Sequence, residues 1–376
     1  MEEISRSAAV AMRDRLPLYF GIFVVMALSN AIVPVLPAFG EGTIHHGAIY
    51  SAYFLGAFLL VLPAGFLSDR IGELPLIRAG LLLTVISGFL LLVSHTLPLV
   101  IASRLIEGVG AGLFVASALS LINARTDHET SSGYFMALLN VGLVAGLIGG
   151  GWLVELTGDR FSGILLFSVL ALIPAAGSIL MRSGGASATA LPLEPVMETV
   201  RRLIRVLREY FWLWISTIVI LGATGALTVL YPEFSDLAPG RLAVIIAAMN
   251  LSTAIAVVIA AHAHLPPVPT IRVASLVMAV AVLCAYVTPF GFIFVGAVAG
   301  LVMIGQLAFL AMAEARQGVL MGLFNTASYG GMTLIPFVAG YVAAVSTFFI
   351  AFVLVSLSAV FVAATIGRCG CRISRP

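Results

Sequence analysis

The chain has 376 residues, of which 61% are hydrophobic and only 10% are Asp, Glu, Lys or Arg. An average soluble domain is about 45–50% apolar, so a soluble fold of this chain would lack the polar surface to cover itself. The net charge is +2 and every basic residue is Arg, which excludes the lysine-containing phosphate loop of an ATP-driven pump.

Apolar runs of about 20 residues, the length that crosses a hydrocarbon core of about 30 Å, recur along the whole chain. They predict an all-α membrane protein with twelve transmembrane helices joined by short loops. The predicted spans are 17–39, 47–67, 76–95, 98–122, 133–155, 162–181, 211–231, 241–261, 271–288, 291–312, 318–343 and 346–367.

The arginines indicate the orientation of these spans, because cytoplasmic loops of membrane proteins are rich in Arg and Lys. With the N-terminus inside, only Arg160 and Arg241 fall outside, and Arg104 lies within a span. We therefore expect both termini in the cytoplasm. The arginines on or near the inner side are Arg6, Arg13, Arg15, Arg70, Arg78, Arg125, Arg182, Arg201, Arg202, Arg205, Arg208, Arg272, Arg316, Arg368, Arg372 and Arg375.

A polar segment separates the first six spans from the last six. Residues 182–193, "RSGGASATALPL", are typical of a linker. The following "EPVMETVRRLIRVLREY" predicts an amphipathic helix with an arginine-rich face, which either lies along the inner leaflet or is a solvated connector. The predicted domains are thus an N-terminal six-helix bundle (1–181), a cytoplasmic linker with this helix (182–210) and a C-terminal six-helix bundle (211–376).

The two predicted bundles resemble each other in sequence. "GYFMALLN" (133–140) begins the fifth span and "GVLMGLFN" (318–325) begins the eleventh, with Gly, Met, Leu and Asn at matching positions. Related halves of six helices are typical of secondary transporters, whose substrate site lies between the halves. This pattern predicts two pseudo-symmetric bundles.

The connection between the second and third spans carries a recognisable motif. "GFLSDRIG" (65–72) resembles the Gly-x-Leu-x-Asp-Arg-x-Gly loop of the major facilitator superfamily. Two helices reverse direction here, so we expect Gly65 to permit close packing and Gly72 a tight turn. The resemblance implies a cytoplasmic latch in which Asp69 meets an Arg or the start of the eleventh span. The candidate gate residues are Gly65, Asp69, Arg70, Gly72, Arg78 and Arg125.

Two further patterns extend the resemblance. "RLIEGVGAG" (104–112) is similar to the Arg-x-x-x-Gly-x-Gly pattern of the fourth helix of the superfamily. "GLVAGLIGGG" (142–151) is similar to the fifth-helix pattern of its antiporters, with Leu147 in place of the family's Pro. Its glycines Gly142, Gly146, Gly150 and Gly151 are also explained by close helix packing alone.

Arg104 and Glu107 are the leading candidates for proton coupling. Charges within a span are costly and usually functional, and a spacing of three places both side chains on one helix face. Arg104 favours an ionised Glu107 and burial opposes it, so a conformational change could load or release a proton. The alternatives are a purely structural ion pair and an Arg104 that bonds backbone carbonyls of a neighbouring helix.

Neutral polar residues inside the spans are candidates for contacts with substrate or for hydrogen bonds between helices. In the family fold, most of them fall on helices that line the cavity. The candidates are Asn30, Asn140, Asn250, Gln306, Asn325 and Tyr329. His45-His46 and His262-x-His264 are predicted to lie in loops without acids at metal spacing, so we expect no metal.

The sequence thus predicts a secondary active transporter of a small amphiphilic or neutral solute, similar to the drug:proton antiporters and working by alternating access. We expect a multi-pass plasma-membrane monomer without enzymatic activity, cofactor or nucleic-acid partner, with the bilayer, a solute and protons as partners. One alternative is an uncoupled facilitator or lipid flippase of the same fold. Another is a membrane receptor or scaffold that no longer transports.

Overall fold

The structure is a computed structural model, and it describes residues 2–123, 128–181, 196–263, 265–312 and 317–368. Within these ranges the secondary structure is entirely helical. The helices are α1 (Glu2–Ala31), α2 (Thr43–Ile71), α3 (Glu73–Leu92), α4 (Leu97–Asn123), α5 (His128–Thr157), α6 (Ser162–Leu180), α7 (Val196–Glu209), α8 (Phe211–Phe234), α9 (Pro239–His262), α10 (Pro267–Val287), α11 (Gly291–Ala311), α12 (Gln317–Val345) and α13 (Phe348–Thr365), with 3-10 helices at Val33–Phe39 and Ile366–Arg368.

Eleven of the described helices are long and apolar enough to cross a membrane, and a bent pair raises the number to twelve. The bent pair is the first predicted span, in which Leu16–Ala31 and Val33–Phe39 meet at 43°. Pro34 and Pro37 follow the break, and proline has no N–H to continue a helical ladder. The all-α, twelve-span prediction is confirmed, with a break in span one.

The start of α2 corrects one prediction. His45 and His46 were expected in a loop, but α2 begins at Thr43, and His46 is fully buried within its first turn. Gly42, just before the helix, has a φ of 89°, a left-handed conformation that glycine adopts without strain. The loop before α2 therefore ends at Gly42, earlier than the predicted start of the second span at residue 47.

The connection between α2 and α3 is a one-residue turn. Gly72 has a φ of 82°, and α3 begins at the next residue, Glu73. A side chain at this position would be strained, which explains the glycine that ends the "GFLSDRIG" motif. By contrast, a Cβ added to Gly65 would meet no atom of the described residues within 4 Å. The close packing predicted at Gly65 is therefore not seen in the described part of the chain.

The chain divides into two compact units. The first unit comprises 1–39, 52–190 and 238–243, and the second comprises 40–51, 191–237 and 244–376. The predicted bundles, 1–181 and 211–376, stay a prediction. In the first unit an apolar core joins α1, α3, α4 and α5, and its members include Ile22, Ile77, Leu81, Phe114 and Phe135. In the second unit an aromatic cluster contains Tyr231, Phe234, Tyr286, Phe292 and Phe352.

Glycines let α5 approach α1 in the first unit. A Cβ on Gly142, Gly146 or Gly150 would collide with the backbone carbonyl oxygens of Phe23, Ala27 and Ala31, respectively. Because these three glycines are spaced by four, they lie on one face of α5, and each packs directly against the backbone of α1. Gly151 points elsewhere, against Pro239 and Ala243 at the start of α9. The glycine pattern of α5 thus serves two packing contacts.

Candidate functional site

Arg104 and Glu107 form a buried ion pair on α4. Nη1 of Arg104 donates to Oε2 of Glu107 at 2.6 Å, and the two side chains are 1% and 0% exposed. The three-residue spacing on one helix places them side by side, as the sequence predicted. Because both charges are buried, each needs the other to offset its cost of burial.

Two further contacts hold the guanidinium of Arg104. Nη2 donates to the carbonyl oxygen of Ser29 at 3.1 Å, in the last turn of α1, where helix carbonyls lack an N–H partner along the same helix. A cation at this end also interacts favourably with the helix dipole. On another side, the guanidinium carbon lies 4.7 Å from the centre of the Tyr53 ring on α2. Arg104 therefore connects α1, α2 and α4.

The glycines of the "RLIEGVGAG" pattern bring α2 close enough for this contact. A Cβ on Gly108 would collide with the backbone of Tyr53, and one on Gly56 with the backbone of Leu105. Gly112 likewise faces Ala57. The two helices therefore cross at small residues, with Tyr53 directly beside Arg104.

The pair has unused hydrogen-bonding capacity. Nε of Arg104 and Oε1 of Glu107 are buried and have no hydrogen-bond partner among the described residues. A buried polar atom without a partner is costly, and it marks a place where a ligand, a water or a proton would be stabilised. The arrangement can therefore bind a proton at Oε1 without first breaking the bond to Arg104.

A second buried polar group lies in the other unit. Gln306 on α11 is fully buried, and its Nε2 donates to Oγ of Ser216 on α8 at 2.8 Å. The Ser216 hydroxyl donates in turn to the carbonyl of Leu213, so the serine is satisfied. Oε1 of Gln306, however, has no hydrogen-bond partner among the described residues. Of the predicted cavity residues, Gln306 best combines burial with a free acceptor.

The other predicted cavity residues are placed as follows. Asn30 donates from Nδ2 to the carbonyl of Leu143 at 3.2 Å, a hydrogen bond between α1 and α5. Asn140 is exposed and bonds the carbonyl of Met136 on its own helix. Asn250, Asn325 and Tyr329 are half-buried on α9 and α12. A contact of any of these five residues with substrate stays a prediction.

The predicted gate residues are only partly described. The side chain of Asp69 and all of Arg125 lie outside the described atoms, and Arg70 is exposed. Arg78 donates from Nε to the carbonyl of Ser178 at 3.0 Å and from Nη2 to that of Met181 at 2.7 Å. Arg78 therefore caps the end of α6. The latch itself stays a prediction.

Sequence reasoning missed two contacts that involve acids. His46 on α2 faces Glu233 at the end of α8, with 3.5 Å between Nδ1 and Oε2. Oε1 of Glu155 on α5 accepts a hydrogen bond from the backbone N–H of Gly240 at 2.9 Å. Both acids lie at span ends, where an exposed carboxylate is unremarkable in sequence, so no local pattern could have paired them.

The comparison with protein families decides the broader identity. Residues 18–336 match the Major Facilitator Superfamily, which is most of the chain. The chain belongs to the Major Facilitator Superfamily. Members of this superfamily are membrane transporters, not enzymes.

Curated relatives in the superfamily match part of the chain. The quinolone resistance protein NorA of Staphylococcus aureus is 29% identical over 147 residues, which are 37% of this chain and 38% of NorA. An uncharacterized MFS-type transporter of Mycobacterium tuberculosis is 28% identical over 151 residues, 39% of this chain and 22% of that protein. The matches thus span well under half of either relative.

Solved structures show the same fold over nearly the whole chain. A bacterial homologue of the human lysosomal transporter Spinster, in an inward-facing and occupied conformation, has a TM-score of 0.75 at 14% identity, with 97% of this chain and 96% of that chain covered. The nucleoside transporter NupG has a TM-score of 0.69 at 14% identity, with 95% and 99% covered. At this identity the likeness shows the fold alone.

Proposed function

We propose that this member of the superfamily is a proton-coupled secondary transporter that exports a small amphiphilic or neutral solute by alternating access. The observation that carries the proposal is the fully buried Arg104–Glu107 pair with its free carboxylate oxygen. Intramembrane ionisable residues in transporters commonly form proton relays. The proposal includes a plasma-membrane location and cytoplasmic termini, supported by the arginine distribution.

Charge balance explains how this pair would couple protons to conformation. While Glu107 is ionised, the two buried charges neutralise each other. When Oε1 takes a proton, Arg104 remains as an unbalanced cation in a buried site. A conformation that hydrates or re-pairs Arg104 is then favoured, so protonation shifts the population between conformations. One bound proton is thereby linked to one conformational step.

The substrate class follows from what the described interior offers. Apart from the Arg104–Glu107 pair and the titratable His46, the deeply buried polar groups of the described residues are neutral, and the Gln306 acceptor is one of those without a hydrogen-bond partner. Such an interior favours amphiphilic or neutral solutes over polyanions. The partial match to a protein named for quinolone resistance supports the same class.

The test is transport by the purified protein in proteoliposomes. A thermal-shift screen of quinolones and amphiphilic dyes first identifies a ligand that stabilises the folded protein. We expect a ligand-dependent rise in melting temperature and, with an imposed pH gradient, accumulation of that ligand that a protonophore abolishes. Transport that runs at the same rate with and without the gradient would instead identify an uncoupled facilitator. A protein that binds a ligand and moves none would fit a receptor.

A further inference from the structure

The start of α2 carries a buried imidazole that the proposed transport cycle does not use. His46 is fully buried, and its Nε2 lies 2.8 Å from the carbonyl oxygen of Gly40. Its other ring nitrogen, Nδ1, lies 3.5 Å from Oε2 of Glu233, at the end of α8. At that separation the second contact is within the range of an ion pair but too long for a good hydrogen bond.

The carbonyl of Gly40 determines the tautomer of this ring. A carbonyl oxygen accepts hydrogen bonds and cannot donate, so Nε2 must carry the proton in the 2.8 Å contact. In neutral His46, Nδ1 is then a bare lone pair. A lone pair facing an ionised carboxylate is repulsive, and Nδ1 has no other hydrogen-bond partner among the described residues.

We propose that His46 and Glu233 form a second proton-binding site, in which one proton is held between Nδ1 of His46 and the carboxylate of Glu233. With that proton present, the repulsive arrangement becomes an imidazolium–carboxylate pair or an imidazole bonded by a carboxylic acid. In either form one of the two atoms donates the shared proton and the other accepts it, so the contact is attractive. The proposal goes beyond the transport function above, because it stands whether or not transport is coupled to protons.

The surroundings of the pair hold the imidazole in place and leave the acid accessible. Oγ1 of Thr43 donates to the carbonyl of Gly340 at 2.7 Å, and Gly47 lies against the backbone of Pro336, so the first turns of α2 are fixed on α12. The Glu233 side chain is 31% exposed while His46 is 0% exposed. A proton can therefore reach the buried ring from water through Glu233.

Among the described residues, few other charges act on the site. Burial of the ring is the largest influence and opposes a positive charge on His46, the Gly40 carbonyl and Glu233 favour that charge, and the neighbouring His45 opposes it. From α12 the recorded contacts near Thr43 and Gly47 are backbone carbonyls, which carry no net charge. Of the described charged groups at the site, Glu233 is the one that favours a proton on the ring. Loss of the proton would weaken the contact between the start of α2 and the end of α8.

The experiment reads the protons directly by NMR on the full-length protein in lipid nanodiscs. The chain has six histidines, so ¹⁵N-imidazole labelling with a His46→Gln difference spectrum assigns the ring. At neutral pH we expect a proton on Nε2, together with either a second proton on Nδ1 or a ¹³Cδ shift of Glu233 typical of a carboxylic acid. A bare Nδ1 beside an ionised Glu233, or a ring with Nε2 bare, would overturn the proposal.

Two variants complete the test. In Glu233→Gln the amide N–H₂ can donate to Nδ1, so the site needs no additional proton, and we expect His46 to carry a proton on Nε2 alone. Glu41→Gln removes the same charge from an exposed position in the adjoining turn and should leave the wild-type pattern intact. Retention of protons on both ring nitrogens of His46 in Glu233→Gln would show that the acid does not share the proton, and would contradict the proposal.

Discussion

The guanidinium carbon of Arg104 lies 4.7 Å from the centre of the Tyr53 ring, and both side chains are buried. A cation over an aromatic face is attracted by about 0.5–2 kcal/mol, with the larger values in desolvated sites. The ring also blocks one face of the guanidinium. Tyr53 therefore fixes the direction in which Arg104 points towards Glu107.

This relationship gives the first prediction. Tyr53→Phe keeps the aromatic face and should retain gradient-driven transport, whereas Tyr53→Leu should lower it by about tenfold, as expected for the loss of about 1.4 kcal/mol. The measurement is ligand flux into proteoliposomes at several pH values. A positioning role requires that the pH profile of flux change in the Leu variant; a uniform fall at every pH would indicate a structural role.

The second prediction concerns the contact of Glu155 with α9. Its carboxylate accepts from the Gly240 N–H at 2.9 Å and so caps the first turn of that helix. Replacement of an N-cap acceptor costs about 0.5–2 kcal/mol, and the exposure of Glu155 favours the low end. We expect Glu155→Ala to lower the melting temperature in detergent, and Glu155→Gln, which keeps an acceptor oxygen, to lower it less. Equal melting temperatures for all three proteins would exclude the cap.

The third prediction tests the packing of α5 on α1. A Cβ at position 146 would collide with the backbone of Ala27, so Gly146→Ala must force the helices apart and should destabilise by about 1–3 kcal/mol. Gly133 on the same helix is the matched control, because a Cβ there meets no described atom within 4 Å. Gly133→Ala should raise stability by up to about 1 kcal/mol through helix propensity. Thermal unfolding of both variants should therefore give shifts of opposite sign.

Local sequence patterns predicted the features that depend on local physics. Apolar length gave the spans, the glycine of the "GFLSDRIG" motif gave the turn at Gly72, and a spacing of three gave the Arg104–Glu107 pair. Each of these features is determined by residues that are close together in the sequence. The predicted start of the second span was wrong, because apolar length alone determined it. The mostly polar residues from Thr43 to His46 are typical of a loop, but they form the first turn of α2.

Contacts between distant segments could not be predicted from one sequence. His46 meets Glu233, Arg78 meets the last carbonyls of α6, and Asn30 bonds the backbone of α5. In each case the side chain was recognised as polar, but its partner is far along the chain or is a backbone atom without a sequence signature. Helical periodicity gives the face on which a residue lies and not the helix that covers that face.

The central claim is that Glu107 carries the coupled proton, and Glu107→Gln tests it most directly. Gln keeps the size of the side chain and an acceptor oxygen for Arg104, but it cannot release a proton. Ligand flux is measured in proteoliposomes with and without an imposed pH gradient, beside wild type and the exposed-acid control Glu41→Gln. The account predicts that Glu107→Gln loses gradient-driven accumulation and keeps ligand binding and downhill exchange, while Glu41→Gln behaves as wild type. Full gradient-driven accumulation by Glu107→Gln would contradict it and would leave the Arg104–Glu107 pair a structural one.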